Sequence, residues 1–234
     1  MLQNSSETAT ASSGKSKTPR SILPQVFAFA PNRDTLGATA YFIVGKSQNI
    51  LVDCPLWNEE NIQFVKEAGG ASKLILTHRG SIGKVKTLQQ DLDCEIIIQE
   101  QEAYLLPETT VTSFSDRVEL DSDLELIWTP GHSPGSSCLY WNYEGGILFT
   151  GRHLLPKSKD EIAPLRTAKT FHWWRQLKSI AKLRDRFSAE TLSYIVPGAN
   201  TGYLRGQGYV ADAYSKLSQL DLEQLKLNES SFIV

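Results

Sequence analysis

Two short apolar runs, Lys73–Leu76 (KLIL) and Glu95–Ile98 (EIII), limit what this chain can become. Neither alternates polar with apolar residues, so both read as short buried strands. Helical patterns follow the strands. Asn58–Ala68 opens on an N-cap asparagine, carries glutamates in its first turn and stops at Gly69-Gly70, and Gly83–Leu92 is a second helix. Upstream, Gln25–Phe29, Ala38–Val44 and Asn49–Asp53 are strand-like, and Lys46-Ser47-Gln48 joins the last two as a hairpin. The second half changes character. Leu124–Trp128, Ser137–Trp141 and Ile147–Thr150, separated by Gly/Pro turns, predict an antiparallel meander. Trp173–Phe187 is a helix, Tyr194–Val196 a last strand, and Gly208–Leu227 one or two closing helices. Two half-sheets with helices on their outer faces make an α/β sandwich of about 200 residues.

Composition narrows the function classes. The net charge of −2 argues against a nucleic-acid binder driven by overall charge. No apolar run reaches the roughly 18 residues of a membrane span. Cys54, Cys94 and Cys138 are odd in number and form no CxxC pair, which excludes a disulfide scaffold or thiolate zinc module and fits a reducing compartment. Met1–Arg20 is Ser/Thr-rich and poor in apolar side chains, so a disordered tail over 1–20 and a single domain over 21–234 are expected. The expected location is cytoplasmic, or an organelle stroma if the tail is a transit segment.

Five strand-to-loop junctions carry the chemical signal. Thr129-Pro130-Gly131-His132-Ser133-Pro134-Gly135-Ser136 follows a strand and makes a rigid turn from which a histidine projects. Asn49–Asp53 is a strand ending in aspartate, and Leu74–His78 a strand running into a histidine. Leu148–Arg152 and Ile195–Asn200 end in Thr-Gly-Arg and Pro-Gly-Ala-Asn. In this order the junctions resemble the metallo-β-lactamase fold superfamily, glyoxalase II-like metallo-hydrolases included, over roughly Gln25 to Gly202. The resemblance implies a four-layer αββα sandwich and a zinc or iron hydrolase centre.

The sequence departs from that pattern at the metal ligands. Gly80, Ile82 and Gly83 stand where the family's His-x-His-x-Asp-His loop has its second histidine, its aspartate and its third histidine. Arg152 replaces the bridging aspartate and Ala199 the last histidine, so five of seven ligand positions are lost. His78 and His132 remain, with Asp53 as the orienting residue. A hydrolytic zinc takes three protein ligands and a water, and an adjacent guanidinium repels a dication. No metal is therefore expected; any metal would be zinc or iron on His78 and His132, with Cys54 the best further ligand. His153, next to Arg152 on a strand end, should point to the opposite face. Arg152, with Arg79 and Lys84 nearby, either pairs with Asp53 or attracts an anion.

The vestigial cleft thus comprises Asp53, Cys54, His78, Arg79, Lys84, His132, Arg152 and Asn200. Three readings follow: a non-catalytic binding or scaffolding pseudoenzyme, a divergent metal-dependent hydrolase, or a metal-free catalyst using His132 or Cys54. Expected partners are a small anionic ligand or another protein, and no nucleic acid. Gln101–Pro107 reads as a short packing helix, and Phe171–Trp174 as an aromatic patch with one tryptophan outside the core.

Overall fold

The structure, a computed structural model, describes residues 18–227. Among these, seven strands make the first sheet: β1 (Arg20–Leu23), β2 (Val26–Ala28), β3 (Tyr41–Ile43), β4 (Ile50–Val52), β5 (Lys73–Leu76), β6 (Glu95–Gln99) and β7 (Val111–Phe114), in that spatial order. Strands β1 to β4 pair antiparallel, and β4 to β7 pair parallel. The helices α1 (Glu59–Glu67), α2 (Val85–Leu92) and α3 (Glu100–Ala103) belong to this half. The second sheet uses β8 (Arg117–Asp121), β9 (Leu124–Trp128), β10 (Ser137–Trp141) and β11 (Ile147–Gly151). A separate hairpin follows, β12 (Leu154–Pro156) with β13 (Ile162–Pro164), then α4 (Trp173–Arg186). The chain closes with β14 (Tyr194–Pro197), β15 (Val210–Ala211), α5 (Ala213–Ser218) and α6 (Leu222–Leu227), and the second sheet runs β15-β14-β11-β10-β9-β8.

The period-2 alternation of each strand decides the layering. Tyr41, Ile43, Val52, Ile75 and Ile97 from the first sheet meet Leu126, Leu139, Phe149 and Val196 from the second in one central core. Their neighbours Phe42, Leu51, Leu74, Leu76, Ile96 and Ile98 face outward, under Val65 of α1 and Leu88 of α2. On the far side Ile127, Cys138, Leu148 and Ile195 pack under Leu177, Ile180 and Leu183 of α4. Both faces of both sheets are covered, which is the four-layer αββα sandwich. Truncating a fully buried member such as Leu74 or Leu139 to alanine would cost roughly 2–5 kcal/mol.

Most predicted elements stand within a few residues. Asn58 caps α1, its side chain accepting from Asn61 N, and α4 starts at Trp173, one residue after its His172 cap. The expected tail boundary moves: Arg20 is already in β1, paired with Ala28, while residues 1–17 lie outside the described residues. The antiparallel meander forms over β9, β10 and β11 as expected, and the last strand, β14, joins β11 in parallel. Among the described residues no helix is long and apolar enough to cross a membrane.

Candidate functional site

Four strands deliver polar residues to one edge of the sandwich. Asp53 follows β4 at φ +63°, a left-handed turn that swings its carboxylate across the end of β5. Its Oδ1 accepts from Thr77 N at 2.8 Å and from Thr77 Oγ1 at 2.9 Å. Burial lifts the Asp53 carboxyl to about 6, against the opposing pull of the Thr77 bonds and the Arg152 charge. Thr77 Oγ1 also lies 3.0 Å from His78 Nδ1. A hydroxyl has one proton, and Thr77 donates it to Asp53, so His78 Nδ1 is the donor of that bond. His78 Nε2 is then a bare acceptor, and it is buried without a partner.

His132 projects from the Thr129–Ser136 turn between β9 and β10, and that turn is docked on the first sheet by Ser137 N donating to Thr77 O at 2.8 Å. The His78 and His132 rings meet edge to face, centroids 5.3 Å apart. Burial, then the charges of Arg152 and Arg79, lower His132 to about 4. Burial, then His132, Arg152 and Arg79, hold His78 well below the usual imidazole range. Both rings are therefore neutral at pH 7.

Arg152 follows β11 through Gly151, whose φ of +50° and lack of Cβ matter: a Cβ would sit 2.3 Å from Thr77 Oγ1. The expected Arg152–Asp53 ion pair is not formed. Arg152 Nη2 instead donates to Leu36 O at 2.8 Å and to Thr35 O at 3.3 Å, bracing the loop before β3. Asp53 is satisfied locally by Thr77, so the guanidinium acts on it only through space. Arg152 Nε is buried without a partner. His153 also departs from expectation. The turn at Gly151 breaks strand alternation, and His153 comes within electrostatic reach of His132. Burial, with the His132 charge, lowers it to about 3.

The other expected residues scatter. Cys54 faces the outer core, and burial pushes its thiol up to about 12, so it offers neither a thiolate nucleophile nor a ligand beside the histidines. Lys84 is exposed and reaches Asp34 at 3.9 Å. Arg79 is exposed and touches the imidazoles only by its charge. Asn200 is exposed at φ +57° and lines a separate surface cavity. Ala199 sits in a small apolar cluster with Leu155 and Leu165.

A metal centre does not fit these residues. Among the described residues no group of three or more His, Cys, Asp or Glu side chains could hold an ion. Gly83 cannot simply regain a ligand: at φ +49°, a Cβ would press on Thr35 Cγ2 at 3.1 Å and on Cys54 Sγ at 3.2 Å. The second-metal positions hold Arg152 and Ala199.

Unpartnered polar atoms nevertheless concentrate here. Of the ten buried side-chain N and O atoms without a partner among the described residues, eight belong to His78, Glu102, His132, Arg152, His153 and Gln176. All six border the Thr129–Ser136 turn or its histidine. A Cβ on Gly135 would meet Glu102 Cγ at 2.7 Å, a Cβ on Gly131 would meet Gln176 Cα at 2.3 Å, and Gln176 Nε2 holds His153 O at 3.0 Å. Such groups are nearly always paired, with protein or with ordered water, and here the unpaired ones gather around one turn. Glu102, read from sequence as helix packing, is 1% exposed with neither carboxylate oxygen bonded. Nothing in the polar run Gln99–Glu102 (QEQE) that enters α3 singles it out.

The sequence profile described as the metallo-beta-lactamase superfamily matches residues 81–193. No curated protein matches the chain. Among solved structures, the metallo-beta-lactamase family protein TTHA1429 from Thermus thermophilus is 18% identical, covers 88% of this chain and 81% of its own, and gives a TM-score of 0.62. The structure of VMB-1 at pH 5.5 is 16% identical over 91% of this chain and 99% of its own, TM-score 0.67. TTHA1623 in a di-iron-bound form is 17% identical over 81% and 96%, TM-score 0.64.

Proposed function

We propose that this chain, which shares the metallo-β-lactamase fold and matches that superfamily's profile over residues 81–193, is a pseudoenzyme, a member that binds rather than hydrolyses. The observation that carries this is Arg152. A permanent cation stands at the end of β11, where the superfamily places a bridging carboxylate, and its charge acts on both remaining imidazoles. A dication there would meet repulsion instead of a ligand.

The same arrangement supports capture of a small oxyanion. Arg152 Nε is a buried donor without a partner, and the guanidinium plane is held by the Leu36 and Thr35 carbonyls. Leu36 and Phe171 are apolar side chains exposed by 67% and 47%, and both contact these residues through their backbones. Arg152 holds the Leu36 carbonyl, and Phe171 N donates to His132 O. An anion with an apolar side matches a guanidinium with exposed apolar neighbours better than bare phosphate does.

The test is an NMR titration of the His132 and Arg152 side chains with benzoate. Saturable shifts that vanish in Arg152→Gln support the reading. Metal-dependent hydrolysis of esters, thioesters or lactams by the purified chain would refute it. The divergent-hydrolase reading keeps one observation in its favour, the bare Nε2 of His78 and Nδ1 of His132. Metal analysis separates the two.

A further inference from the structure

A second site lies away from the histidine pair, where β1, the start of β3 and the loop after β14 come together. A cavity of about 680 Å³ opens there, walled by Arg20, Arg205, Thr39, Thr201, Phe29 and Pro31 among others, and no carboxylate lines it. Arg20 and Arg205 take part in none of the ion pairs among the described residues. Two unneutralised guanidinium groups facing one cavity repel each other unless an anion lies between them.

The walls are held by the fold. Arg20 is in register with Ala28 across the β1–β2 pair. Thr39 N donates to Gly198 O at 2.8 Å, and the Thr39 and Thr201 hydroxyls lie 3.1 Å apart. The guanidinium of Arg20 runs beside the Gly206–Gly208 backbone, a Cβ on Gly208 lying 3.3 Å from its Nη2. An adjoining cavity of about 790 Å³ shares Gly202 and Arg205, adds Lys157 and Lys159, and is again free of carboxylates. The two cavities together present four cations, hydroxyl donors, and apolar walls from Phe29, Pro31 and Leu204.

We propose that this double cavity binds a phosphorylated small molecule, with Arg20 and Arg205 forking onto one phosphoryl group and the lysines meeting a second. Planar guanidinium groups match phosphate bidentately, which a scattered surface charge does not. The volume exceeds what inorganic phosphate needs, so a ligand with two linked phosphoryl groups is favoured. The inference is independent of the histidine cleft.

Calorimetric titration of the full chain with pyrophosphate at 0.15 M salt tests it, with inorganic phosphate alongside. The expected result is one saturable site per chain, tighter for pyrophosphate than for phosphate. Arg20→Gln and Arg205→Gln should each weaken it tenfold or more with an unchanged melting temperature. Arg205→Lys should restore only part of the affinity, and Lys66→Gln should leave it unchanged. Absence of saturable binding at millimolar pyrophosphate would overturn the proposal. So would full recovery by Arg205→Lys or an equal loss in Lys66→Gln, because either makes it a general charge effect.

Discussion

His78 and His132 come from different sheets, yet their rings meet at a 70° interplanar angle with centroids 5.3 Å apart. The contact needs the loop after β5 and the β9–β10 turn at the same edge. Thr77 ties them: its backbone N–H and hydroxyl hold Asp53, and its carbonyl accepts from Ser137 N. Two strand-end loops thus bring two imidazoles together at one edge of the sandwich.

Stability should fall on acidification. His132 at about 4, His153 at about 3 and His78 well below its ordinary value stay neutral in the folded chain. Once unfolded, they gain protons below about 6.5. The unfolded state then binds more protons, so their contribution is complete above pH 6.5 and is lost as pH falls toward 4. Asp53 opposes this between about 6 and 3.8, because its folded carboxyl takes up a proton first. Three groups outweigh one. His132 alone contributes on the order of 3 kcal/mol, at about 1.4 kcal/mol per pKa unit. Urea unfolding at pH 7, 6 and 5 checks the sign; constant or rising stability toward pH 5 would contradict it.

Arg152→Gln should raise the His132 pKa above about 4, because the guanidinium charge is the second cause of its depression after burial. The loop before β3 loses its brace at Leu36 and Thr35, at a cost of about 1–3 kcal/mol. An NMR pH titration reads the first effect and denaturation the second. An unmoved His132 would show that the guanidinium does not face the ring.

Restoring one family ligand should fail. In Gly83→His the backbone at φ +49° is strained for a side chain, and the Cβ presses on Thr35 and Cys54. A loss of roughly 1–3 kcal/mol without gain of metal is expected from chemical denaturation and metal analysis. A variant as stable as the parent that takes up zinc would mean the loop is more plastic than this geometry allows.

Glu102 carries an uncompensated cost. Its carboxylate is buried and unbonded, and its side chain fills the space that a Cβ on Gly135 would need. Glu102→Met, similar in volume, should stabilise the fold by roughly 1–3 kcal/mol and should not weaken benzoate binding at the His132 cleft, because it removes a like charge. A destabilised variant would show that the carboxylate is bonded in the native state.

The central strands were legible because an apolar pattern at period 2 has one interpretation once both faces must be covered. KLIL, EIII and the β9–β11 meander fall where the pattern puts them. The edge strands β1 (RSIL), β7 (VTSF) and β8 (RVELD) were not, since half-exposed strands mix polar with apolar residues. At the site, the turn carrying His132 and the strand ending in His78 declared themselves by local grammar. Arg152 bonding to Leu36, His153 turning inward after Gly151 and Glu102 lying on Gly135 are contacts between distant segments. No spacing in the chain encodes them.

The central claim is that the cleft has exchanged its metal chemistry for a fixed cation. The most direct test is the metal content of untagged protein by elemental analysis, before and after His132→Ala. The account predicts less than about half a zinc or iron per chain, with the same residual content in the variant. Stoichiometric metal in the parent, lost together with a hydrolytic activity in His132→Ala, would contradict it.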